Sequence, residues 1–131
     1  MNKSKILHWG ARIVAAIILL QTLFFKFSGA EESVYIFTTV GMEPWGRIGV
    51  GVMELIASVL LLITPVAWMG GLIAVGLMVG AIGMHLTLLG IEVQGDGGYL
   101  FILAVVVTAC GALVLWQDRD KALAFVKKLT G

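Results

Sequence analysis

Glu54 stands in the middle of the apolar run from Ile48 to Ile63. Taking a carboxylate out of water is costly unless it is protonated or paired, so the chain must supply partners. Gln21, Lys26, Arg47 and His85 are the side chains able to meet it. A carboxylate and an imidazole at one depth can exchange protons with a bound molecule, which makes Glu54 and His85 the candidate catalytic groups. Lys26, Arg47 and Gln21 are candidate binding groups. The two cations would stabilise a developing anion, and the amide can both donate and accept.

Spacing brings these groups together. Arg47, Gly51, Glu54 and Ser58 recur at helical intervals and form one stripe. A helix rise of ~1.5 Å per residue puts Glu54 about 13 Å below Trp45. On the same scale His85 lies about 7 Å below Gly90, on a side shared with Ala74, Met78 and Ala81. Lys26 falls near the same membrane face, with Gln21 roughly a turn and a half deeper. Plainer roles exist for each. Lys26 and Arg47 can snorkel to headgroups, Glu54 can be a salt-bridged strut, His85 its hydrogen-bond partner and Gln21 interhelical glue. Convergence at one depth favours a pocket over these separate roles.

The elements that must position this cluster are membrane spans. Of 131 residues 60% are hydrophobic and 13% charged, with a mean hydropathy of +1.02. A soluble domain carries about twice that charged fraction, so the composition is that of an integral membrane protein. Four segments reach the roughly 20 residues a crossing needs, at about 9–28, 45–64, 66–90 and 98–117. The expected fold is all-α, a four-helix membrane bundle formed by a single domain over residues 1–131. Trp9–Phe27 lacks a small-residue cleavage site and precedes further spans, so it reads as a span and not a signal peptide.

Charge sets the expected orientation. Lys3, Lys5 and Arg12 lie at the N-terminus, and Arg119, Lys121, Lys127 and Lys128 at the C-terminus. The two loops between them hold Glu31, Glu32, Glu43, Glu92 and Asp96 without Lys or Arg. The positive-inside rule therefore puts both termini in the cytoplasm, with a multi-pass chain between them. Trp9, Trp45, Trp68 and Trp116 sit at span ends, where indole favours the interface.

The connections carry their own signals. Thr64-Pro65 leaves almost no loop, which predicts a tight hairpin between spans two and three. Ser28 with Glu31 has the capping-box pattern and predicts a short amphipathic helix over 30–40 on the outer surface, with Ala30, Val34, Phe37 and Gly41 along one side. Pro44 suits the first turn of span two, Gly90 closes span three, and Asp96 can cap span four. The tail 118–131 is amphipathic through Ala122, Phe125, Val126 and Leu129, facing membrane lipids. Gly76, Gly80 and Gly83, and likewise Gly46, Gly49 and Gly51, predict close helix contacts inside the bundle, with a homodimer seam as the alternative.

Several chemistries are excluded. The lone Cys110 allows no intramolecular disulfide or redox pair. His8 and His85 belong to opposite faces, about 25 Å apart, so one chain builds no bis-histidine haem. No cluster has metal-ligand spacing, and no phosphate-binding or dinucleotide motif occurs. A net charge of +1 gives no case for nucleic acid.

The chain resembles the DoxX family. The likeness rests on Arg12, on Phe25 to Gly29 around Lys26, on the leucine-rich run from Glu54 to Leu62, and on Ala81 to Leu86 around His85. A loop reading Leu89 to Val93 followed by Gly95 to Gly98 extends it, and the whole spans about Arg12 to Trp116. Gln21 departs from the pattern, since many members have an apolar or small residue there. The resemblance implies an inner-membrane four-helix bundle linked to thiosulfate:quinone oxidoreductase subunits and to membrane redox complexes. Lys26, Glu54 and His85 would be its polar positions. The expected function is a quinone- or lipid-linked redox module. A non-catalytic scaffold for a redox partner protein and a small proton-coupled transporter using Glu54 are the alternatives.

Overall fold

The computed structural model describes residues 2–131 and is all-helical, with no strand among the described residues. Helix α1 runs Lys3–Phe27, α2 Glu31–Thr39, α3 Trp45–Leu62, α4 Ala67–Met84, α5 Tyr99–Gln117 and α6 Arg119–Thr130. A short 3₁₀ turn, Thr64–Val66, joins α3 to α4, and α4 ends in a π-helical turn, His85–Leu89. Four helical segments are long and apolar enough to cross a membrane: Lys3–Phe27, Trp45–Leu62, Thr64–Leu89 and Tyr99–Gln117. The expected spans are thus found. The first begins earlier than Trp9 because the Asn2 side chain caps it, accepting from the Lys5 amide at 2.9 Å.

The faces turned inward are small. They are Ala11, Ala15 and Leu19 on α1, Gly51, Ala57 and Leu61 on α3, Ala67, Ala74 and Met78 on α4, and Ala104, Val107 and Val114 on α5. Helix α1 packs on α3 and α5, and α4 packs on the same two. Large apolar side chains point outward instead: Ile17 is 60% exposed, Val79 55% and Ile102 57%. Such a surface suits hydrocarbon as the surrounding solvent.

The glycines in contact are not the expected ones. A Cβ on Gly76, Gly80 or Gly83 would meet nothing within 4 Å. The close approaches lie near the 3₁₀ turn. A Cβ on Gly70 would come 2.6 Å from the Leu61 amide nitrogen, and one on Gly71 2.9 Å from the Gly111 carbonyl oxygen. On α3, Gly46 and Gly51 are tight against Met42 and Phe27, whereas Gly49 is open.

The loops follow their sequence signals in part. Helix α2 forms as expected, yet the capping box does not. Ala30 is the cap residue without a side-chain bond, and Ser28 Oγ turns back to the Phe25 carbonyl at 3.3 Å. Its inward residues are Ser33 and Phe37. Asp96 serves the start of α5 from two residues before its cap residue Gly98, accepting from the amides of Val93, Gly98 and Leu100 at 3.0, 2.8 and 3.2 Å. Burial pushes this carboxyl up, but the three N–H donors hold it below the usual carboxylate range. The tail α6 buries no residue, touching α4 through Phe125, whose ring centroid lies 5.4 Å from that of Trp68.

The two glycine classes give a test. Gly70→Ala forces a backbone shift at the α3–α4 contact and should destabilise the protein by about 1–3 kcal/mol. Gly83→Ala, in open space on a helix, should be neutral or stabilising by up to about 1 kcal/mol. Thermal unfolding in detergent reads both; equal effects would contradict this packing.

Candidate functional site

Ala15, Leu19, Thr22 and Lys26 follow one another at three- and four-residue steps, so one face of α1 carries an apolar base and a polar top. Facing it, α3 presents Gly51, Glu54 and Ser58, all buried. Glu54 has no exposed surface. Its Oε1 lies 2.9 Å from Lys26 Nζ, and Thr22 Oγ1 donates to Oε2 at 2.7 Å. The lysine contact is a charge pair and not an aligned hydrogen bond, which leaves Oε1 with unused acceptor capacity. Ser58 Oγ donates to the Glu54 backbone carbonyl at 2.7 Å.

His85 reaches the same region from the end of α4. It is 5% exposed, and its ring stands edge-on to Phe101 with centroids 5.6 Å apart. Nδ1 lies 2.9 Å from the Gly90 carbonyl oxygen. A carbonyl only accepts, so Nδ1 carries the proton and Nε2 of the neutral ring is an acceptor. The π-helical turn makes this possible by bringing Gly90, at a φ of 81°, back to the Nδ1 edge of the ring.

These side chains line one cavity of about 280 Å³. Thr22, Lys26, Glu54 and His85 supply its polar wall. Leu77, Met78, Ala81 and Ala104 supply an apolar wall, and Ser33 and Phe37 of α2 close the loop side. The open glycines Gly76 and Gly80 also line it, so their missing side chains make room in the cavity and not a helix contact. A mostly apolar pocket with a few polar groups at one side is suited to a small molecule that has a polar head and an apolar body.

Two expected members stand elsewhere. Gln21 is exposed on the outside of α1, and its neighbour Thr22 takes the position beside Glu54. The reason is angular: Thr22 is four residues from Lys26 and shares its face, while Gln21 is five away and does not. Arg47 does not reach Glu54. Its Nε donates to both oxygens of Glu43 at 2.8 and 3.1 Å, and Nη1 donates to the Lys26 carbonyl. Arg47 therefore latches the last turn of α1 to the first turn of α3 and ties down the backbone that carries Lys26. The expected His85–Glu54 hydrogen bond is also replaced, by the bond to Gly90.

No family model matches the chain, and no curated protein or solved structure matches it either.

Breaking the pair from one side should be worse than removing it. Lys26→Met strands a buried carboxylate and should cost about 3–5 kcal/mol. Adding Glu54→Gln should recover most of that loss, because no uncompensated charge remains. Detergent-solubilised thermal unfolding of the single and double variants measures this; additive losses would show that the two side chains do not interact.

Proposed function

We propose that this chain is a DoxX-like multi-pass protein of a bacterial inner membrane, folded as a four-helix bundle with both termini cytoplasmic. In this reading it acts as a small quinone- or lipid-linked redox module whose working site is the Glu54 pocket in the outer half. The observation that carries the reading is the conjunction of a buried Lys26–Glu54 pair, Thr22 and a free His85 acceptor edge on one side of an otherwise apolar cavity.

A quinone head presents carbonyl acceptors, which Lys26 can engage, and its reduced form presents hydroxyls, which His85 Nε2 and Glu54 Oε1 can accept. The apolar wall receives the ring and the start of its tail. Conversion between the two forms moves two electrons and two protons. Glu54 and His85 handle the protons, Lys26 steadies negative charge on the head, and a partner redox protein exchanges the electrons. The non-catalytic scaffold gains support from α6, which lies with Leu123, Val126 and Leu129 exposed and free to meet a partner or lipid.

The test is titration of the solubilised full chain with a short-tailed ubiquinone analogue, followed by calorimetry. Saturable binding should weaken about tenfold or more in Glu54→Gln, the loss expected for one hydrogen bond to a charged group. Affinity unchanged in both Glu54→Gln and His85→Phe would reject the quinone site and favour the scaffold.

A further inference from the structure

The opposite end of the molecule, where α1 begins and α5 meets α6, holds a second cavity of about 480 Å³. Arg12 lines it and has no exposed surface. Nε donates to the Leu61 carbonyl across the α1–α3 contact at 2.5 Å. The guanidinium carbon sits 3.7 Å from the centroid of the Trp9 ring. Nη1 and Nη2 are both buried and have no hydrogen-bond partner among the described residues. Leaving such donors unmet is costly, more so on a charged group. Snorkelling does not relieve them, because the whole side chain is enclosed.

The surrounding charges point to what relieves them. Lys5 and Lys121 line the cavity beside Arg12, against a single carboxylate, Asp118. Asp118 turns Oδ1 toward His8 Nε2 at 3.0 Å and acts on the Arg12 charge through space without hydrogen bonding to it, while its Oδ2 is also without a partner. Bridging waters would satisfy the guanidinium donors, whereas an anion would satisfy them and also offset the three cations that one carboxylate faces. Trp116 marks the level of the cavity as a span end, with Arg119 stacked over its ring at 4.1 Å.

We propose that this cavity binds a phosphate-type oxyanion. The Nη1 and Nη2 atoms of Arg12 form a bidentate fork toward two of its oxygens, and Lys5 and Lys121 supply the outer cations. Two sources present this chemistry at that depth, the headgroup phosphate of an anionic phospholipid and free inorganic phosphate. The site is separate from the Glu54 pocket and stands whether or not that pocket takes a quinone.

The full chain in mild detergent is exposed to phosphatidylglycerol or phosphatidylcholine of equal acyl length, and retained lipid is read by native mass spectrometry. In parallel, ³¹P NMR line broadening reads binding of inorganic phosphate. Wild type is expected to retain phosphatidylglycerol over phosphatidylcholine, or to broaden the phosphate line, the first identifying a headgroup and the second a free anion. The exposed-lysine variant Lys5→Ala/Lys121→Ala should fold normally and lose about fivefold in binding per lysine removed. Arg12→Lys, which keeps the charge and loses the fork, should weaken binding further if its circular dichroism is unchanged. Equal retention of both lipids with no broadening, or binding unaffected by the double lysine variant, would overturn the proposal.

Discussion

Burying the Glu54 carboxylate is the constraint on which this end of the molecule depends. The charge has no surface exposure, and the fold answers it with Lys26 and Thr22 from a single face of α1. Those two contacts fix the register of α1 against α3, since a one-residue slip would swing both partners away. Arg47 then adds a backbone tie at the same place, gripping the Lys26 carbonyl while held by Glu43. A buried ion pair of this kind contributes little net stability, but removing one partner leaves a stranded charge. Its role is better understood as specifying geometry around a cavity.

The cavity itself comes from a change in packing along α4. At its first turns Gly70 and Gly71 allow backbone-close contact with α3 and α5. Farther along, Gly76 and Gly80 meet nothing and border open space. The same residue type thus brings helices together at one end and makes room at the other. Helix α2 closes the loop side through Ser33 and Phe37, and the π-helical turn delivers His85 with one nitrogen committed and one free.

Much of this was legible in the sequence because a membrane chain has few polar residues to place. The four long apolar helices, the Thr64-Pro65 hairpin, the short helix α2 and the role of Asp96 at the start of α5 all follow from hydropathy length and turn chemistry, and Lys26 was identifiable as a partner of Glu54. What escaped were side-chain directions. Gln21 drew attention as the polar residue at the right depth, although angular position about α1 favours Thr22, whose hydroxyl gives a weaker sequence signal. Arg47 lies on the Glu54 stripe but is captured by Glu43 one turn away. The glycine stripe of α4 has the spacing of a helix contact, and only tertiary packing decides which glycines have a neighbour. Arg12 was visible as a basic residue near the N-terminus, while its two unmet nitrogens are a property of the fold alone.

The most direct test of the account is native mass spectrometry of the chain extracted in mild detergent, with bound small molecules released and identified. The account predicts a stoichiometric quinone, or a molecule of the same polar-head and apolar-body type, that is lost in Glu54→Ala while the protein stays folded. A protein that carries ordinary phospholipid and nothing else, with the same spectrum in Glu54→Ala, would contradict it. The Lys26–Glu54 pair would then be an internal strut.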